Sequence, residues 1–277
     1  MTAPLQLGSR DMRRISALIY ASSGIALRDS KRTLVLARLQ KRLRRQGFSS
    51  FGEYVSFLET DRSGRELAAV LDAITTNHTG FFREPDHFHF LADHVLPALA
   101  PRGAMHPVTA WSAACATGEE LYSMAIAMME RIPPVEHARI RILGSDLSSM
   151  AIRHARGAVY AGARVAHLPR PLLHRYFERG MGKQEGLVRV KADVRRLTEV
   201  RHLNLMDVRL PGVLFDVIFC RNAMIYFDRQ SRQRVVSMLE RQLAPHGWLF
   251  VSHSEGLTDV DHRLKWCAPG IYRRVES

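Results

Sequence analysis

Between position 10 and about position 72, apolar residues recur at steps of three and four; beyond position 106 they gather into short unbroken runs. The first pattern predicts amphipathic helices. In DMRRISALIYASSGI, Ile15, Leu18 and Ile19 share a face ahead of a break at Gly24. In KRTLVLARLQKRLRRQG, Val35, Leu36, Leu39 and Leu43 do the same, with Gly47 placed as a stop. FGEYVSFLET and GRELAAVLDAI follow, and with no strand-like alternation among them the region reads as a small helical bundle. The later runs VTAWSAAC (108–115), RIRILGSD (139–146), FDVIFCRN (215–222) and HGWLFVSHSE (246–255) suit buried strands, and GIYRRV a last short one. Helical segments stand behind the first three, which implies an α/β class with a parallel, doubly wound sheet. Between about 168 and 203 the rhythm breaks, and the glycines and short alternating runs LVRV and EVRHL predict an inserted antiparallel β unit.

Composition adds little to this frame except through charge. Three cysteines without a C-x-x-C pair argue against a disulfide framework or a zinc site. His87, His89 and His94 have helical spacing and read as surface residues, so no metal is expected. No membrane-length apolar run and no signal-peptide pattern is present, which points to a cytoplasmic protein that does not insert into a membrane. The net charge of +13 suits a polyanionic partner: nucleic acid, anionic lipid or an acidic protein surface. Residues 31–45 concentrate that charge, with Arg38, Lys41, Arg42 and Arg45 among seven cations and no acid. Such single-sign patterning predicts docking on an acidic surface.

Ligands of an open parallel sheet bind outside the carboxyl ends of its strands. After the first strand stands Ser112-Ala113-Ala114-Cys115-Ala116-Thr117-Gly118-Glu119-Glu120, whose small residues let a ligand approach the backbone. Two glutamates opening a helix would repel a pyrophosphate, although they also serve as helix-dipole partners. After the second strand, Asp146 either caps the next helix or accepts ribose hydroxyls. Together these features point to an adenosine ligand without phosphate and with positive charge, a description S-adenosylmethionine meets. Thr75–Glu84 at the domain junction and Arg221-Asn222 at the end of the third strand are further candidates.

The pieces TTNHTGFFRE, WSAACATGEELYSMAIA, GSDLSSMAIRHAR, LLHRYFERG, EGLVRV, NLMD, FDVIFCRNAMIYFD and HGWLFVSHSE, in this order, resemble the chemotaxis receptor methyltransferase family (CheR) over nearly the whole chain. The resemblance implies a helical domain over 1–75, a junction over 76–90 lining a cofactor cleft, and a Rossmann-like class I methyltransferase domain over 91–277. The inserted β-subdomain would span about 168–203. It implies S-adenosylmethionine as cofactor, contacted by Asn77, Thr79, Arg83, Glu120 and Asp146, with Asn204-Leu205 near the adenine and Arg221-Asn222 beside the methionine portion. The substrates would be glutamates of methyl-accepting chemotaxis receptors, faced by the basic second helix, with a receptor tail peptide gripped by the β-subdomain. A glutamate carboxylate, pKa about 4.3, is already ionised at neutral pH and needs no general base. Arg83 and Tyr226 are then the candidates for orienting or shielding it. A nucleic-acid methyltransferase is disfavoured because no aromatic-basic interleaving for base stacking is present. A non-enzymatic adaptor is disfavoured because Asn77, Arg83, Asp146 and Arg221-Asn222 are intact.

Overall fold

The computed structural model describes residues 5–103 and 106–275. Four helices open it: α1 (Ser9–Ser23), α2 (Arg32–Arg45), α3 (Phe51–Thr60) and α4 (Arg65–Ile74). Their apolar faces meet in one core, with Ile15, Ile19, Val35, Leu39, Leu43 and Tyr54 buried. Local chemistry sets the ends. Gly24 adopts the left-handed φ of 71° that closes α1, its N–H donating to the Tyr20 carbonyl. Ser50 caps α3 by accepting the Glu53 N–H, while the Glu53 carboxylate reaches back to the Ser49 N–H.

The basic face of α2 is not wholly free, contrary to the patterning argument. Arg38 Nη1 donates to the carbonyls of Ala73, Ile74 and Thr75 and so satisfies the C-terminal end of α4. Arg42 pairs with Glu66, which also accepts the Tyr54 hydroxyl at 2.7 Å. Burial works against charge on Glu66, yet the bonds from Arg42 and Tyr54 hold its carboxyl below the ordinary glutamate range. Periodicity shows which residues face away from the leucine stripe but not that a second helix packs along that other face. Lys41 and Arg45 are exposed, without an ion-pair partner among the described residues.

The second half carries the sheet. α5 (Pro85–Phe90) runs through a π-helical turn, Leu91–Val95, into α6 (Leu96–Leu99). Then follow β1 (Val108–Ser112), α7 (Glu119–Arg131), β2 (Ile140–Asp146) and α8 (Ser149–Gly157). β3 (Val159–Ala161), α9 (Arg170–Tyr176), β4 (Phe177–Arg179) and β5 (Leu187–Val190) come next, then α10 (Ala192–Arg195) and β6 (Thr198–His202). β7 (Phe215–Phe219), α11 (Arg229–Gln242), β8 (Leu243–Phe250), β9 (Leu264–Ala268) and β10 (Ile271–Arg274) complete the chain. The main sheet has the order β6-β2-β1-β7-β8-β10-β9. Its first five strands are parallel, and β10 lies antiparallel between β8 and β9. Ala110, Ile142, Val217 and Phe219 pack on one face, Trp111, Leu143, Ile218 and Leu249 on the other. Burial on both faces explains the unbroken apolar runs. The Rossmann-like class I architecture, with an all-helical domain ahead of it and a small antiparallel sheet beside it, is the one the sequence led us to expect.

The small sheet has the order β3-β5-β4 and is antiparallel throughout. It therefore begins before 168 and ends before 203. EVRHL instead lies in β6, parallel to β2 from Ile142↔Thr198 to Asp146↔His202. Its charged alternation is that of an edge strand with a solvated face, which mimics a hairpin strand in sequence. Because β2 and β7 flank β1 on opposite sides, the topological switch point lies between β1 and β7.

Candidate cofactor and acceptor site

At that switch point a cavity of about 750 Å³ opens between the helical domain and the carboxyl ends of β1, β2 and β7. Every residue expected at the cofactor, from Asn77 to Asn222, lines it, and so does Tyr226. Beyond β1 the chain turns at Gly118, whose φ of 98° is left-handed and whose missing Cβ would sit 2.9 Å from the Tyr160 hydroxyl. The two glutamates that open α7 then diverge. Glu120 lines the cavity and accepts from Ser112 Oγ at 2.7 Å and Arg221 Nε at 2.8 Å. Glu119 is 1% exposed and pairs with Arg164 and the Thr117 hydroxyl, outside the cavity lining. Of the two acids, Glu120 alone is in the cavity lining.

Asp146 is not the helix cap; Ser148 caps α8 by accepting the Ala151 N–H. Asp146 Oδ1 accepts the Ser148 N–H at 2.8 Å and Oδ2 the Ala116 N–H at 2.9 Å, tying the end of β2 to the loop behind β1. Each carboxylate oxygen keeps a free lone pair, so the residue can still accept hydroxyls from the cavity it lines. Burial raises its pKa, and the two N–H bonds oppose that rise.

Arg221 is buried and acts inward. Besides Glu120 it donates Nη1 to the Arg83 carbonyl at 2.8 Å and to His87 Nδ1 at 3.1 Å, with its guanidinium 5.2 Å from the Phe219 ring centre. It lines the cavity and holds Glu120 and the junction in place. His87 is fully buried, unlike the surface position read from its spacing, because α5 packs onto the sheet; His89 and His94 are exposed. Burial first, and the Arg221 charge second, push the His87 imidazole down to about 4, so it accepts from Arg221 as a neutral ring. Glu84, His87 and His253 each bring a ligand atom within 4.8 Å of the others, but the guanidinium at His87 opposes a cation there.

Asn222 sits at a left-handed φ of 58°, with its N–H held by Glu255 Oε2 at 2.6 Å and its side chain donating to Ser252 Oγ at 2.9 Å. Glu255 also accepts the Ile225 N–H at 3.0 Å, and burial raises its pKa. The strap from Ile25 to Lys31 supplies the opposite wall: Ile25 bridges Phe227, and the Ala26 N–H donates to the Tyr226 carbonyl at 2.9 Å. Asn204 Nδ2 donates to the Ser22 carbonyl at 2.6 Å, a second stitch between the domains. Sequence reasoning missed Glu255 and the strap, whose partners lie far away along the chain. Arg83 donates Nη1 to the His78 carbonyl at 3.2 Å.

Two buried carboxylates, Glu120 and Asp146, beside the small Ala113, Ala114 and Ala116 suit a ligand with cationic groups and hydroxyls rather than a pyrophosphate. S-adenosylmethionine, with its ammonium, sulfonium and ribose hydroxyls, fits those two acceptors.

Comparison with known proteins agrees. Residues 10–75 match the family model of the CheR methyltransferase all-alpha domain, and residues 77–270 that of the CheR methyltransferase SAM binding domain. The chain is 38% identical to the chemotaxis protein methyltransferase of Escherichia coli K12, across 98% of this chain and 93% of that protein. It is 39% identical to chemotaxis protein methyltransferase 2 of Pseudomonas aeruginosa PAO1, across 95% and 92%. The chemotaxis protein methyltransferase of Borreliella burgdorferi B31 is 34% identical, across 95% and 94%. With both domains matched and relatives aligned over nearly their whole length, this chain belongs to the CheR methyltransferase family, S-adenosylmethionine-dependent methyltransferases of chemotaxis.

Proposed function

We propose that this protein methylates glutamate side chains of methyl-accepting chemotaxis receptors, forming glutamyl methyl esters in the cytoplasm. The observation that carries the reading is the polarity of one cavity. Buried Glu120 and Asp146 line its sheet side, while exposed Arg28 and Lys31, whose side chains have no ion-pair partner among the described residues, line its helical side. A cationic cofactor suits the first wall and an anionic acceptor the second.

S-adenosylmethionine held by Asn77, Thr79, Glu120, Asp146 and Asn222, with its adenine near Asn204 and Leu205, supplies an activated methyl group. The protein's task is then to place an already ionised carboxylate in a cleft from which water is displaced. Arg83, by its charge, and Tyr226, 39% exposed at the cavity wall, orient and shield that carboxylate. Lys41 and Arg45 meet the acidic receptor helices, whereas Arg38 and Arg42 support docking only through α4. The small sheet, through ERGMGKQEGLVRV, grips the receptor tail. No helix of the described residues is long and apolar enough to cross a membrane. Peptide mass spectrometry of receptor-bearing membranes after incubation with protein and cofactor tests the proposal. Single-methyl increments on receptor glutamates are expected; increments confined to lysine, arginine or nucleic acid would refute it.

A further inference from the structure

We infer that Arg164, carried by the inserted unit just after β3, is a positioning residue for the cofactor pocket. The inference rests on the reading of the cavity as the S-adenosylmethionine site. Arg164 Nη2 donates to the Thr79 carbonyl at 2.7 Å and pairs through the same nitrogen with Glu119. Thr79 lines the cavity, and Glu119 precedes Glu120 at the start of α7, so one guanidinium joins two separate walls of the pocket. Neither Arg164 nor Glu119 lines the cavity.

Two more bonds run the same way. His167 Nε2 lies 3.1 Å from the Phe81 carbonyl, and the Tyr160 hydroxyl donates to the Thr117 carbonyl at 2.8 Å. The arm from Tyr160 to His167 therefore grips residues 79–81 on one side and 117–119 on the other. Glu119 and Glu120 are adjacent buried acids, each matched by its own arginine: Arg164 outside the pocket and Arg221 in its lining. Without Arg164, Glu119 would lose its only cationic partner among the described residues and the Thr79 carbonyl this donor. A buried carboxylate left unpaired shifts or draws in water, and the neighbouring Glu120 moves with the helix start. The β unit thus takes part in building the cofactor site.

Calorimetric titration of the full chain with S-adenosylmethionine tests this. Arg164→Ala is expected to weaken affinity about tenfold, about 1.4 kcal/mol of binding free energy, with turnover at saturating cofactor nearly unchanged. Arg164→Lys, which keeps a charge for Glu119, should recover part of the loss. Glu119→Gln should weaken binding too, and the double variant should be less than additive, because the pair acts as one unit. A purely structural role would lower the melting temperature and leave the affinity of the folded protein intact, which overturns the inference. If Arg164→Ala does not fold, the Glu119→Gln titration decides alone, full affinity there counting against the proposal. Asp146→Ala separates the two levels. Lost affinity there with full affinity in Arg164→Ala overturns only this inference, whereas full affinity in both removes the pocket assignment itself.

Discussion

Replacing Asp146 by alanine probes the site most sharply, because this carboxylate has both a structural and a ligand-facing role. Its loss strands the Ala116 and Ser148 N–H groups, now bonded at 2.9 and 2.8 Å. An unsatisfied buried donor costs about 1–3 kcal/mol, and water entering from the adjoining cavity keeps each near the lower end, so about 2–3 kcal/mol of stability should go. Binding suffers separately. Hydroxyls donating to a charged acceptor contribute about 1.5–3 kcal/mol each, so losing the pair's acceptor should cost about 3 kcal/mol, roughly a hundredfold in Kd. Thermal denaturation reads the first effect and calorimetry with S-adenosylmethionine the second. The pH dependence follows from the raised pKa, caused first by burial. Because the folded pKa exceeds the unfolded one, Asp146 favours folding most at acid pH, and that contribution fades as pH rises through the folded value. Cofactor affinity runs the other way and should fall on acidification sooner than for an ordinary aspartate. An unchanged Kd in the alanine variant would refute the placement of the ligand.

Arg42→Met leaves Glu66 facing Tyr54 without its cation and should cost about 2 kcal/mol, below the fully buried range because Arg42 is 27% exposed; urea denaturation measures it, and adding Glu66→Gln should restore most of the loss. Reversing Lys41 and Arg45 to Glu should slow receptor methylation several-fold while melting temperature and cofactor Kd stay put, and equal loss of all three would place these residues in the fold instead. The His87 imidazole, pushed down to about 4, favours the folded state above its unfolded pKa near 6.5, so stability should drop by roughly 3 kcal/mol as pH falls between those values. His87→Gln should flatten that slope in pH-dependent denaturation, and an unaltered slope would show that another group titrates.

Elements buried on two faces were the most legible in sequence: β1, β2, β7 and β8 read as continuous apolar runs because helices cover both sides of the sheet. Edges were not. β9 went unpredicted since Lys265 and Trp266 are exposed there, and β6 passed for part of the insertion because its outer positions are charged. The cavity-lining residues at or just beyond strand ends, Asp146 and Asn222 among them, were visible because fold topology dictates where strand ends meet. What the chain could not reveal locally was long-range partnership. Arg221 turns inward onto Glu120, Glu255 reaches back 33 residues to Asn222, and Arg38 and Arg42 are occupied by α4. Helical periodicity gives direction but not the neighbour met there.

Methyl transfer onto a carboxylate is read from the base lability of the product. Protein incubated with methyl-labelled S-adenosylmethionine and receptor-bearing membranes should yield labelled receptor that releases volatile methanol under mild base, as a glutamyl ester must. Label that stays on the receptor after that treatment would mean methylation of an amine or another base-stable product, not of a carboxylate.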